Sequence, residues 1–272
     1  MRIRPGRPRS PGARRRRRAA RAGSESMNGG CAPTLEIVGE TAVVTLRRPE
    51  QHNRIDPDDP AVLLRHIADI RSTPSVRLLV LTAEGEKTFC SGYTLGQIGT
   101  RLDRSLEDML DALESLEVPT LCALNGSAYG GGTDLALACD FRIGVRGFRL
   151  FMPAARFGLH YYPGGLRRFV TRLGCSAAKR IFLTGMTIDD EELLRNGFLT
   201  ELVERGTLQS RIAIYRDHIA RCDMQAVRSM KRHIDAISAG DWDEISGRAA
   251  YEASLRSEET GRRLAEVPRA YR

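Results

Sequence analysis

The stretch from Ala123 to Asp140, ALNGSAYGGGTDLALACD, decides the reading of this chain. A strand-like apolar run, Pro119 to Leu124, enters it. Three consecutive glycines, Gly130 to Gly132, then open a helix-like run from Thr133 to Cys139. A strand, a glycine loop and a helix start in that order leave backbone N–H groups exposed at the positive end of a helix dipole. Such a place holds an anion, or an oxygen that becomes anionic during a reaction. The competing reading is a close helix–strand contact that binds nothing.

The segments on either side alternate. Thr34 to Val38 and Ala42 to Leu46 read as two strands turning at Gly39-Glu40. Pro60 to Ile70 has helical spacing, with Asp58 or Asp59 near its cap. Val76 to Thr82 reads as a strand buried on both faces, Gly85 to Leu95 as a loop, and Ser105 to Leu116 as a helix. Strands are expected at Phe141 to Val145, near Leu150 to Met152 and at Leu199 to Val203. Helices are expected after Pro163-Gly164-Gly165 as far as Arg172, at Ser176 to Leu183 and at Asp189 to Asn196. From about Leu208 the pattern is helical almost to the end. The order predicts an α/β core followed by an α-helical region.

The formal net charge of +8 belongs to one end of the chain. Residues 1–26 hold ten arginines against the single acid Glu25, so the rest is close to neutral. A basic nucleic-acid-binding body is therefore not indicated. The extension is too poor in apolar residues to fold alone and lacks the apolar segment of a secretory signal. It is expected to be disordered, with Met27 as a natural translation start; an arm for nucleic acid or a membrane surface is the alternative. No apolar run approaches the roughly 18 residues of a membrane-spanning helix. Six cysteines are widely spaced without a C-x-x-C pair, which fits free thiols in a reducing cytoplasm.

Asn125-Gly126-x-x-x-Gly130-Gly131-Gly132-x-Asp134-Leu135-Ala136-x-x-Cys139-Asp140 resembles the signature of the crotonase (enoyl-CoA hydratase/isomerase) superfamily. Phe89-Cys90-Ser91-Gly92-Tyr93-Thr94-Leu95 is similar to that family's other active-site loop. Thr45 to Glu50, Leu183-Thr184-Gly185 and Gly197 to Thr200 resemble further landmarks in the right order. The resemblance implies a spiral of β-β-α turns with a C-terminal helical trimerisation region, divided as an acyl-CoA-binding core over residues 27–205 and an oligomerisation region over 206–272. It also implies a homotrimer or dimer of trimers, an acyl-CoA thioester as substrate, and no cofactor beyond the coenzyme A that the substrate carries. No metal-ligand spacing, dinucleotide fingerprint or P-loop is present, so neither a metal nor a redox cofactor is expected.

By the same resemblance, the Tyr93 and Gly131 backbone amides are the oxyanion-hole donors for a thioester enolate. Ser91, Thr94, Leu95 and Gly130 contact the substrate. Arg54 lies in the loop that touches the nucleotide in relatives, although solvated charge is an equal reading of the arginines there. Asp134 occupies the first of the family's two glutamate positions; it is either an acid/base or a helix-start acid that complements the dipole. The second position aligns with Ala154, which cannot transfer a proton, so ordinary two-glutamate hydration is not expected. His160 and Tyr162 are candidate substitutes, one titrating near neutral pH and the other a proton or hydrogen-bond donor; loop and packing roles remain open for both. Arg167 and Arg168 read as surface or interface charges. The leading expectation is an enzyme acting through a thioester enolate. The alternative is a CoA-thioester-binding or subunit protein that has lost catalysis.

Overall fold

The computed structural model describes residues 30–267, so the Arg-rich extension lies outside the described residues. Strands β1 (Cys31–Val38) and β2 (Thr41–Arg47) form the expected hairpin. Gly39 turns it with φ of +59°, a conformation that favours glycine. Strand β3 (Leu78–Ala83) lies parallel to β2. Strands β5 (Thr120–Leu124), β7 (Phe141–Val145) and β10 (Glu201–Val203) extend the same sheet in parallel, in the order β1-β2-β3-β5-β7-β10, once β4, β6, β8 and β9 below are counted in chain order.

The apolar runs of β3 and β5 have a simple cause. Leu79, Leu81, Cys122 and Leu124 point into the main core. Leu78, Val80, Leu121 and Ala123 point into a second core on the other face, where Leu208 and Tyr215 of the C-terminal helices cover them. Both faces are dry, so alternation disappears.

A smaller sheet, ordered β4-β6-β8-β9, consists of β4 (Thr88–Cys90), β6 (Ser127–Tyr129), β8 (Arg149–Phe151) and β9 (Ile188–Asp189). Each of β3, β5 and β7 is followed by one of its strands and then by helix. The chain thus climbs as a spiral of β-β-α turns. Strand β4 lies within the segment expected to be a loop. Three residues are too few to show a period; their extended form depends on parallel pairing with β6, nearly forty residues onward.

The helices are α1 (Asp59–Arg71), α2 (Ile98–Arg101), α3 (Arg104–Glu114), α4 (Gly131–Leu137), α5 (Pro163–Thr184), α6 (Asp190–Arg195), α7 (Leu208–Ala220), α8 (Met224–Ala239), α9 (Glu244–Leu255) and α10 (Glu258–Glu266). Two differ from expectation: the short α2, in a stretch where no helix is expected, and α5. The helices expected on either side of residue 174 run together as α5, with a kink at Gly174 (φ 79°, ψ 160°). At α1 the expected Asp58 is the N-cap residue, although its side chain makes no capping hydrogen bond. Asp59 is buried and instead accepts from Arg48 at 2.6 and 3.1 Å and from the Asp56 N–H at 2.8 Å.

The two glycine loops are in backbone contact. A Cβ on Gly92, where φ is +86°, would lie 2.7 Å from the Gly131 nitrogen. One on Gly132 would lie 2.4 Å from the Cys90 carbonyl oxygen. One on Gly131 itself would meet nothing closer than 3.7 Å. Helix α8 is tied to this layer through Lys231, which donates to both Asp140 carboxylate oxygens at 2.6 and 2.5 Å. Asp140 also accepts from the Thr120 N–H and hydroxyl.

Gly132→Ala and Gly92→Ala are expected to cost roughly 1–3 kcal/mol of stability through overpacking, whereas Gly131→Ala stays near wild type. Urea unfolding midpoints measure this ranking. Lys231→Met is expected to cost up to about 3 kcal/mol, the low end for breaking a buried ion pair, because Thr120 still satisfies Asp140. Earlier proteolytic release of the segment beyond α7 is the accompanying sign.

Candidate active site

A cavity of about 370 Å³ opens beside the glycine-loop contact. Ser91, Tyr93, Gly130 and Gly131 line it, and Ile98, Leu102, Leu106, Met152 and Phe157 give it apolar walls. A larger cleft of about 1070 Å³ between α3, α5 and α8 touches none of the catalytic or substrate candidates. Among the described residues no group of three or more His, Cys, Asp or Glu is arranged to hold a metal.

Pairing of Ile55 with the loop aims the Tyr93 amide. The Ile55 N–H donates to the Gly92 carbonyl at 2.8 Å, and the Thr94 N–H donates to the Ile55 carbonyl at 3.0 Å. The Tyr93 N–H between them is left on the other side of the strand, toward Gly131. Gly131 is the first residue of α4, so its N–H has no intrahelical acceptor. Among the described residues neither amide has a hydrogen-bond acceptor. Tyr93 and Gly131 both line the cavity.

The Tyr93 ring lines the cavity while its hydroxyl donates to the Arg101 carbonyl at 2.9 Å. Leu95 is an exposed side chain at the cavity wall. Thr94 and Arg54 are not part of the lining. Both hold Asp56, the Thr94 hydroxyl at 2.6 Å and the Arg54 Nε at 2.8 Å. Ala154, at the second acid position, is buried and lines the cavity with a methyl group. His160 also borders the cavity but is exposed.

Asp134 does not reach the cavity surface. Its carboxylate has no solvent exposure. Tyr161 and Tyr162, stacked with ring centroids 4.5 Å apart, both border the cavity and both present their hydroxyls to Asp134. The Tyr162 hydroxyl donates to Asp134 Oδ2 in a short hydrogen bond, and the Tyr161 hydroxyl approaches the same oxygen at 3.4 Å. Asp134 therefore faces the cavity through Tyr162. Gly165, in the first turn of α5, makes the room: a Cβ there would lie 2.3 Å from the Tyr161 ring and 2.8 Å from Asp134 Oδ2.

Behind Asp134 stands Arg168, whose side chain is fully buried. Its guanidinium meets Asp134 Oδ1 at 3.3 Å, Asp111 at 2.9 Å and Glu114 at 3.4 Å. The sequence reading of Arg168 as a surface or interface charge is corrected by this burial: α5 packs on α4 with Arg168 on the inner face. Arg167 and Arg172 additionally hold Glu114 at 2.5 and 3.4 Å. Asp111 and Glu114 are three residues apart on one face of α3, a local hint of a charge partner. Nothing near Arg168 in sequence points to Asp134.

Burial raises the Asp134 carboxyl above its ordinary range; Arg168 and the Tyr162 and Tyr161 hydroxyls pull it back down, and Glu114 adds to the rise. Burial, the neighbouring Tyr161 and the Asp134 charge push the Tyr162 phenol far up, so it stays protonated. Burial followed by Asp134 does the same for Tyr161. Burial lowers the Arg168 guanidinium, but Asp134, Glu114, Tyr162 and Asp111 more than offset this and hold it charged.

Tyr93 and Gly131, whose amides have no acceptor among the described residues, a phenol backed by a buried carboxylate and an apolar wall border one cavity. Residues 36–256 match the enoyl-CoA hydratase/isomerase family. The chain is 32% identical to the (E)-benzylidenesuccinyl-CoA hydratase of Thauera aromatica over 73% of this chain and 80% of that protein. It is 30% identical to the short-chain-enoyl-CoA hydratase of Clostridium acetobutylicum, over 80% and 85% respectively. Among solved structures, the enoyl-CoA hydratase from Bacillus anthracis superposes with a TM-score of 0.75 at 25% identity, covering 84% of this chain and 92% of that one. The spiral fold, the two facing glycine loops and these likenesses agree, and the chain belongs to the enoyl-CoA hydratase/isomerase family.

Proposed function

We propose that this protein binds an acyl-CoA thioester with its carbonyl oxygen between the Tyr93 and Gly131 amides, and moves a proton at the adjoining carbons through Tyr162 and Asp134. The observation that carries the reading is one cavity lined by Tyr93, Gly131 and Tyr162, with the Tyr162 hydroxyl bonded to the buried Asp134 behind it. As the α carbon loses a proton, charge moves to the thioester oxygen. Two preorganised donors in a dry site are worth several kcal/mol to that enolate.

Tyr162 cannot serve as a free phenolate base. It can act as a relay. A proton from the substrate passes to the Tyr162 oxygen as the Tyr162 proton passes to Asp134 Oδ2. The phenol is regenerated and the carboxylate holds the proton. Reversal delivers that proton to the enolate carbon. One proton is carried, with no second acid required, which suits a site with Ala154 at the other position. His160 at the cavity edge is a further candidate donor. The adenosine phosphates of CoA lie outside the cavity in this reading, and Arg54 is the basic side chain proposed to meet them. The substrate supplies the only coenzyme. The exposed apolar side chains on and between α8 and α9, Ile234, Trp242, Ile245 and Tyr251 among them, favour self-association of the chain through this helical region. A soluble, cytoplasmic setting suits such a substrate and the free thiols.

The second reading is a CoA-thioester-binding protein without turnover. The full burial of Asp134 and its pairing with Arg168 favour it.

Butyryl-CoA in deuterated buffer separates the two readings. Wild type is expected to exchange the α protons, as followed by mass spectrometry. Tyr162→Phe and Asp134→Asn are each expected to slow exchange by roughly 10²–10⁴-fold with ligand binding retained. Binding without exchange in wild type favours the second reading. In parallel, hydration of crotonyl-CoA followed by absorbance is expected to be weak, since Ala154 offers no group to position water.

A further inference from the structure

We propose that Arg168 is a positioning residue of this site: its guanidinium keeps the Asp134 carboxylate ionised inside the core and so makes it able to receive the Tyr162 proton. This rests on the relay reading above but adds a residue that never meets substrate.

A carboxylate with no exposure ionises only if a charge partner or hydrogen bonds replace water. Every charged or titratable group facing Asp134 can be named. Tyr161 and Tyr162 approach from the loop before α5, and both donate. Arg168 approaches from α5. Glu114 and Asp111 of α3 lie beyond Arg168 and compete for its charge. The competition is unequal. Glu114 is already held by Arg167 and Arg172. The Asp111 side chain is 55% exposed, so water screens its attraction. Among the described residues Asp134 meets no second cation, and its carboxylate has no solvent exposure. The least screened attraction is therefore the one between Arg168 and Asp134.

Geometry points the same way. Arg168 reaches Oδ1 of Asp134, whereas both tyrosine hydroxyls use Oδ2. The guanidinium thus leaves the proton-accepting oxygen to the phenols. It also fixes the rotamer of the carboxylate, as its rigid fork spans Asp134 and Asp111 together.

The sign of the effect follows. Asp134 accepts a proton only as a carboxylate, so the relay works above the Asp134 titration and fails as pH falls through it. Removing the Arg168 charge moves that titration upward.

Infrared difference spectroscopy tests this without requiring turnover. The carbonyl stretch of protonated Asp134 is the band that disappears in Asp134→Asn. In wild type its loss as pH rises sets the reference onset. In Arg168→Met it is expected to persist to a higher pH than in wild type. In Arg168→Lys, which keeps a charge but not the fork, its onset is expected between the two. An Arg168→Met protein that folds and titrates as wild type overturns the proposal. If Arg168→Met does not fold, Arg168→Lys decides alone: a raised onset supports the proposal and an unchanged one overturns it. The acid limb of α-proton exchange is expected to move in the same order, with little change in ligand affinity. Absence of exchange in wild type counts against the relay reading, while the infrared titration still decides the role of Arg168.

Discussion

The backbone contact between the two glycine loops is the constraint on which the rest depends. Gly92 and Gly131 approach so closely that no Cβ fits at residue 92, and the Cys90 carbonyl occupies the place of a Cβ on Gly132. This contact exists because β4 and β6 pair in the small sheet, each directly following a strand of the large one. The spiral thereby delivers two loops from distant sequence to one spot. Its chemical product is a pair of unpaired amides, aimed by the Ile55 bridge on one side and by the start of α4 on the other.

The site has a methyl group at Ala154 and a phenol at Tyr162, with the buried Asp134 carboxylate behind the phenol. Moving a carboxylate out of water makes its charge depend on what lies behind it. Here that is Arg168, itself held by carboxylates on α3. The cavity and the mixed-charge cleft on the far side of α5 are therefore electrostatically linked, since Asp111 and Glu114 line the cleft while Arg168 reaches Asp134.

Small residues make this arrangement possible. Gly165 leaves space for the Tyr161 ring and for Asp134 Oδ2 together. In the sequence, Gly164-Gly165 after Pro163 reads only as a helix start. The start is real, with Pro163 as first residue of α5, but the room Gly165 leaves is used by a residue about thirty positions earlier. Lys231 on Asp140 is a similar case. A lysine within an amphipathic helix signals solvent, yet here it anchors α8 to the layer that carries the glycine loop.

The sequence by itself determined the order of the longer strands and helices, the hairpin at Gly39, the buried parallel strands, the helical C-terminal region and the two glycine loops. Each of these has a local cause: apolar runs where both faces are covered, glycine where the backbone turns or touches, helical spacing where one face is buried. It also set a limit, since alanine at residue 154 transfers no proton wherever it lies. Only the tertiary structure decided that β4 is a strand, that Asp134 faces the cavity through Tyr162, and that Arg168 is a buried counter-charge and not a surface one. Those outcomes rest on pairings between residues far apart in the chain. Whether a charge sits in water or against another charge is a property of packing, and no local pattern encodes it.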